Sequence, residues 1–597
     1  MGTLYQERLR RLRAEMDRGG LSGFIIPHAD EHNSEYTPAC AERLAWITGF
    51  DGSAGVAVVL NDAAALFVDG RYTLQARQQV DANRFSLQKS HDNPVEDWIG
   101  RHAVAGQRIG YDPWLHNVVW LEHAREMLAR HDIELVAVDD NLVDAIWQDR
   151  PAAPDGPAHI HDLVYSGEES IHKRARMAAM IKAAGADLLV LTALDSIAWL
   201  LNIRGTDSPH TPIVQAFALL SSDGTLRLYI DDQKLDENLR GHLGPEVTVL
   251  PKADFTEALR QVGATHAVMV DAKLSPAAVF DALDHAGAKI IRGDDPCQLA
   301  KACKNETELT GIRQAHIRDG VALCQFLCWL DENVASDQID EMTAARQVDI
   351  FRAKQPLFMD SSFDTIAGAG PNGAIVHYRV TEDSSRMLED GDLFLLDSGG
   401  QYLDGTTDVT RTIAIGQPNR EQRDRFTRVL KGHIALAQAR FPQGRAGAHL
   451  DVLARKPLWD VGLDFDHGTG HGVGQYLSVH EGPQSISARS FGVALQPGMI
   501  LSNEPGYYKA GAYGIRIENL VRVVNSQVTG QERAMLAFET LTLAPIDLRL
   551  IDVQLLTVAE VTWLNIYHNR VRQTLMPHLS GKDASWLEDA TRALQPD

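Results

Sequence analysis

Asp397, Asp408, His471, Glu504 and Glu518 are the residues of this chain whose types and settings could do chemistry together. Asp397 ends the apolar run Leu393-Phe394-Leu395-Leu396 and precedes Ser398-Gly399-Gly400, which reads as a strand entering a turn. Asp408 lies within Thr406 to Ile413, where period-two alternation predicts Thr406, Asp408, Thr410 and Thr412 on one face. The two aspartates can then meet across paired strands. Glu504 follows the apolar strand Met499-Ile500-Leu501, and in Ile515 to Val521 the residues Arg516 and Glu518 share a face opposite Ile515 and Ile517. His471 stands in the glycine-rich run His467 to Gly474, whose glycines let the backbone approach an ion or ligand closely.

Charge decides what such a cluster needs. An Asp at a strand end is ordinarily a solvated or turn-capping group, so no one of the five means much alone. Four carboxylates in one pocket repel each other and are costly to desolvate unless protonated or paired. Two divalent metal ions balance them, and a centre of that kind can hold a bridging hydroxide as the attacking nucleophile of a hydrolase. The oxygen-rich donor set favours Mn²⁺, while Zn²⁺ or Co²⁺ also fits.

The elements that must position these residues fall into a duplicated front half and a distinct back half. A helix from Tyr5 to Arg18, a strand at Gly23-Phe24-Ile25-Ile26, the segment Arg43 to Gly49 and strands ending near Asp69 form one copy. The helix Ser170 to Ala184, the strand Leu188 to Leu191, the segment Ser196 to Leu201 and Leu226 to Asp231 form the second. The proline-rich stretch Arg150 to Pro157 reads as a linker between two similar α/β domains. A third domain opens near Lys304-Asn305-Glu306-Thr307-Glu308, whose helix carries Ile312, Ala315, His316 and Asp319. Near the end, Thr557-Val558-Ala559-Glu560 forms a capping box ahead of a helix with Val561, Leu564, Tyr567 and His568. The expected fold class is a multidomain α/β and α+β chain, with domains at 1–153, 154–303 and 304–535 and a C-terminal extension at 536–597.

Composition sets limits on function. A chain of 597 residues exceeds one core. A net charge of −23 argues against a nucleic-acid surface. Five cysteines are too few for a disulfide framework, and Cys324 and Cys328, four apart in an apolar helix, read as core packing. Met1 to Met16 reads as a charged amphipathic helix with Leu4, Leu9, Leu12 and Met16 at helical spacing; it lacks a signal-peptide core, and no apolar run reaches membrane-spanning length. A soluble, cytoplasmic protein is expected. Gly468 to Gly474 lacks the dinucleotide spacing, and Asp51-Gly52-Ser53-Ala54-Gly55 misses the nucleophile-elbow pattern.

The stretches Gly368 to Tyr378, Leu396 to Gly400, Thr407 to Thr412, His467 to Gly474, Val479 to Pro483 and Asn503 to Tyr508 resemble the pita-bread metallopeptidases, whose ligand order is Asp, Asp, His, Glu, Glu. The closest resemblance is to aminopeptidase P, the Xaa-Pro aminopeptidases, in the long three-domain cytosolic form, and it extends over essentially the whole chain. It implies two creatinase-like N-terminal domains followed by a curved antiparallel catalytic sheet with helices outside. It implies removal of an N-terminal residue that precedes proline, with Glu504 as both ligand and proton shuttle. His377 and His480 would act on the scissile carbonyl and leaving nitrogen, and His467 would line the proline side. Arg516 would orient Glu518, and Arg71 of Asp69-Gly70-Arg71-Tyr72 would reach a partner's site or pair within its own domain. Homodimer contacts through the C-terminal extension are expected, against a helix simply packed on its own domain. Prolidase, methionine aminopeptidase and a non-catalytic pita-bread binding protein are the alternatives.

Overall fold

The computed structural model describes residues 2–335, 338–488 and 492–595, so Met1 of the expected N-terminal helix lies outside the described residues. Two compact units divide the chain, Met1–Leu163 with Glu168–Gln298 and Val164–Gly167 with Leu299–Asp597.

The first unit holds two six-stranded sheets of one topology. Gly23–Pro27, Val56–Leu60, Ala64–Val68, Ser86–Lys89, Arg108–Tyr111 and Glu134–Ala137 pair in the order 4-3-2-1-5-6 along the chain. Leu188–Leu191, Ala216–Ser221, Leu226–Ile230, Val247–Leu250, Ala267–Val270 and Lys289–Arg292 repeat that order, with the same parallel and antiparallel pairings. The duplication read from sequence is therefore one of topology. The opening helix spans Gly2–Arg18 and buries Leu9, Leu12 and Met16, but Leu4 is 51% exposed. Its five-residue step from Leu9 carries it about 140° around the helix, off the buried face.

In the second unit the 28-residue helix Glu306–Asn333 starts at a reciprocal capping box between Asn305 and Glu308. Its Leu323, Phe326, Leu327 and Leu330 pack with Phe394 and Leu396 of strand Leu393–Ser398 and with Val409 and Ile413 of strand Val409–Ala414. Because side chains alternate along a strand, Asp397 and Thr410 lie on the other side of this sheet, away from the helix. The sheet is antiparallel, with Ile366–Ala369 at its third position. A six-stranded antiparallel sheet runs Arg440–Pro442, Met535–Thr540, Asn519–Ser526, Ile500–Asn503, Gly470–Gly472, Glu481–Ile486. The helices Arg420–Ala437 and Ala448–Trp459 bury Leu436, Leu450 and Ala454 against its Leu501, Val521 and Val523. Antiparallel sheets backed by helices are the expected pita-bread arrangement.

The C-terminal helix Val558–Leu575 carries the expected capping box. The face offered by Val561, Leu564, Tyr567 and His568, however, is buried inside its own unit. Leu564, Tyr567, Val571 and Leu575 share a core with Phe426, Leu430, Ile515 and Ile517. Each such apolar side chain contributes about 1.5–3 kcal/mol by leaving water, which binds the extension to its own domain. This face of the helix thus serves its own unit, while Val558 and Ile566 of the same helix are exposed. Cys324 and Cys328 are buried as expected, and among the described residues no disulfide forms.

Candidate metal centre

Asp397 faces Thr410 across the strand pair Leu393–Ser398 and Val409–Ala414, and Asp408 precedes the second of these strands. His471 lies in the short strand Gly470–Gly472, Glu504 just past Ile500–Asn503, and Glu518 in the break between Tyr513–Arg516 and Asn519–Ser526. One donor atom each from Asp408, His471 and Glu518 lie within 4.8 Å of one another. His471 Nε2 is 3.4 Å from Asp408 Oδ2 and 3.5 Å from Glu504 Oε1. Its Nδ1 is 2.9 Å from Gly472 O, which makes Nδ1 the protonated nitrogen and turns Nε2 toward the carboxylates.

Three of the four carboxylates are held from behind. Arg516 Nη2 donates to Asp397 Oδ2 at 2.6 Å, Thr410 Oγ1 to Glu518 Oε2 at 2.8 Å, and Ser502 Oγ to Glu504 Oε1 at 3.0 Å. Arg411, from the opposite face, donates to the carbonyl of Glu518 at 2.7 Å and to Asn519 Oδ1 at 2.8 Å. Asp397, Asp408 and Glu518 are almost fully buried, whereas the His471 and Glu504 side chains keep about a fifth of their surface, 22% and 18%.

Three buried oxygens here, Asp397 Oδ1, Asp408 Oδ1 and Glu518 Oε1, meet no protein donor. Leaving such atoms unsatisfied costs about 1–3 kcal/mol each, more when charged. Burial, then the charges of Asp408, Asp397 and Glu504, holds Glu518 well above the ordinary carboxylate range. Burial pushes Asp397 up to about 6 despite Arg516. Burial alone would lower His471, but its bond to Asp408 and the charge of Glu504 raise it to about 9. A proton on His471 thus does the work of a cation. Oxygens without donors, mutually repelling carboxylates and one imidazole fit hard divalent ions.

His480 and His467 stand beside this cluster. The His480 ring stands edge-on to His471 at 4.3 Å between centroids. His467 bonds Gly468 O through Nδ1 at 2.7 Å and the Tyr508 hydroxyl through Nε2 at 2.8 Å, and its Nδ1 is 3.9 Å from Glu504 Oε2. His377 follows Val376, whose carbonyl accepts from Arg516 Nη2 at 3.3 Å. Arg71, in the first unit, pairs with Asp69 of its own domain at 2.7 Å.

One expectation is sharpened and one corrected. Arg516 reaches Glu518 through Thr410 rather than directly; its own bonds run to Asp397, Thr410, Tyr508 and Val376. The chain breaks from strand geometry at Ile517, so Arg516 stays over Asp397 while Glu518 turns to Thr410. Thr406 does not share the face of Asp408. Gly405–Thr406 pairs with Gly400–Tyr402 in a separate sheet, and the Thr406 hydroxyl donates to Gln401. Sequence reasoning missed Ser502 and Tyr508. Ser502 lay two residues before Glu504 at a strand end, where period two puts both on one side; Tyr508 carried no comparable signal.

Known proteins agree along the whole chain. The pattern of Metallopeptidase family M24 matches residues 310–525, that of the C-terminal region of peptidase M24 matches 534–594, and Creatinase/Prolidase N-terminal domains match 8–146 and 149–308. Aminopeptidase P2 of Arabidopsis thaliana is 40% identical, covering 98% of this chain and 88% of that protein. Aminopeptidase P1 of Lotus japonicus is 36% identical, covering 96% of each. The crystal structure of X-prolyl aminopeptidase from Caenorhabditis elegans, a cytosolic enzyme with a di-nuclear active site, superposes with a TM-score of 0.94 at 36% identity, covering 99% of this chain and 100% of that one. By full-length kinship and by its candidate metal centre, this chain belongs to the aminopeptidase P branch of metallopeptidase family M24.

Proposed function

We propose that this protein is a metal-dependent exopeptidase that removes the N-terminal residue from peptides whose second residue is proline. The observation that carries the reading is the convergence of donor atoms of Asp408, His471 and Glu518 within 4.8 Å, with Glu504 beside them and Asp397 close enough to interact with Asp408 and Glu518. We assign these five residues as the ligands of two divalent ions, with Mn²⁺ first by donor type. When bound, such a pair supplies an ionised water as nucleophile and polarises the scissile carbonyl.

The remaining chemistry belongs to the chain. Glu504, aimed by Ser502 and partly open, takes and returns the proton of the attacking water. A bond ahead of proline has a tertiary amide nitrogen without N–H, and its cleavage, like that of any amide, needs a proton delivered to the leaving nitrogen. His480 and His377 are assigned to that delivery and to bonding the carbonyl oxygen. His467, with both ring nitrogens engaged by Gly468 and Tyr508, forms the wall for the proline ring. A free α-amino group is a cation suited to the acidic pocket, so an N-terminal block abolishes binding. Domain limits at 153, 303 and 535, a cytoplasmic location like that of the nematode relative and a homodimeric state belong to the same proposal. Hydrolysis of Xaa-Pro peptides of graded length, with and without added Mn²⁺, tests it; activity confined to dipeptides points to prolidase instead.

A further inference from the structure

The loop between Ala369 and Arg386, which carries His377, closes on a single carboxylate. Glu341 is wholly buried at the first turn of helix Glu341–Arg352, where the helix N-terminus favours negative charge. Its Oε1 accepts from Ala369 N at 2.6 Å and Asn372 Nδ2 at 3.0 Å, and its Oε2 from Tyr378 OH at 2.9 Å and Arg386 N at 3.0 Å. These donors come from the start, the turn, the middle and the end of the loop. A carboxylate with that many partners has one orientation, and it imposes one on them.

The other side of the loop is fixed as tightly. The turn Gly370–Ala374 lies flush against strand Tyr513–Arg516, where a Cβ on Gly514 would stand 1.7 Å from Gly373 O. Arg516 Nη2 reaches both Val376 O, at 3.3 Å, and Asp397 Oδ2, at 2.6 Å. Val376 and Tyr378 are buried at 8% and 4%, and half-buried His377 stands between them. One neighbour of His377 is thereby tied to the candidate ligand Asp397, and the other to Glu341.

We infer that Glu341, acting through the Tyr378 hydroxyl, is a positioning residue for His377 and sets where its imidazole stands relative to the metal centre. This rests on the reading that His377 meets the substrate. Glu341 touches no substrate itself. Tyr378→Phe removes the hydroxyl and keeps the ring, so it perturbs His377 with little change to the core.

The test measures kcat and KM on an Xaa-Pro tripeptide, with metal content and Tm, for Tyr378→Phe alone and in a His377→Ala background. Misplacing a reacting group by about 1 Å costs up to about a hundredfold, so Tyr378→Phe alone is expected to lower kcat by roughly ten- to a hundredfold at unchanged metal content. In the His377→Ala background it should change kcat by less than about twofold, because coupled residues are non-additive. Glu341→Gln, which keeps the shape and one acceptor oxygen, is expected to show the same masking. An equal fold loss in both backgrounds, or no loss in the first, overturns the inference and leaves a purely structural hub. If His377→Ala alone leaves kcat and KM unchanged, the role of His377 fails first and the inference falls with it.

Discussion

Thr410→Val isolates the support of one candidate ligand. The hydroxyl donates to Glu518 Oε2 at 2.8 Å and accepts from Arg516 Nε at 3.1 Å, and Glu518 Oε1 has no protein donor at all. Without metal, burial and the neighbouring carboxylates raise Glu518 well above the ordinary carboxylate range and disfavour its ionised form, so the bond has less charge to assist it. Metal binding requires the ionised form, and the same bond becomes charge-assisted. The difference therefore falls on metal affinity rather than on folding of the metal-free protein. A hydrogen bond to a charged group is worth about 1.5–3 kcal/mol against about 0.5–1.5 kcal/mol for a neutral one, a difference of about 1–1.5 kcal/mol. At about 1.4 kcal/mol per decade this predicts metal affinity lower by about 5- to 10-fold. Arg516 retains Asp397, so the rest of the pocket stays in place. Titration of the chelator-treated protein with Mn²⁺, followed by calorimetry and by recovered activity, reads the effect. Unchanged affinity in a folded variant would refute the argument that Thr410 aims Glu518 at the metals.

Asp408→Asn and Glu518→Gln should lower metal occupancy more than Asp397→Asn, because Asp408 and Glu518 share the three-ligand cluster while the charge of Asp397 is already met by Arg516; equal occupancy by elemental analysis contradicts the ranking. His480→Ala should lower kcat by about 10²-fold or more with little change in KM, as for loss of a proton or hydrogen-bond donor used in the transition state. An unchanged kcat with a raised KM makes it a binding residue. Leu564→Ala should destabilise the protein by about 2–5 kcal/mol, because the side chain is fully buried in its own unit. Sedimentation should find the oligomeric state unaltered, and dissociation with unchanged Tm would instead place Leu564 at a dimer contact.

What was legible in the sequence was whatever depended on local pattern. Asp397 at the end of an apolar run, the glycines around His471 and the reciprocal capping of Thr557 with Glu560 are short-range signals, and the structure keeps them. The duplicated front half was legible for the same reason, since each copy repeats its helix, strand and spacing. Alternation failed where the strand itself stopped, at Thr406 and at Ile517. Partner choice was not legible. That Arg516 meets Asp397 depends on which strands cross, and Glu341 reaches Tyr378 across 37 positions in sequence. The apolar face of the helix Val558–Leu575 showed that it would be buried, but only tertiary packing says whether against its own chain or another.

The most direct test of the central claim is hydrolysis of Xaa-Pro-containing peptides from two residues upward by the full chain, after chelation and after Mn²⁺ is restored. The expected result is release of the N-terminal residue from tripeptides and longer peptides, lost on chelation, recovered with two ions per chain and absent when the α-amino group is blocked. Undiminished cleavage in protein shown by elemental analysis to hold no more than trace metal would contradict the account.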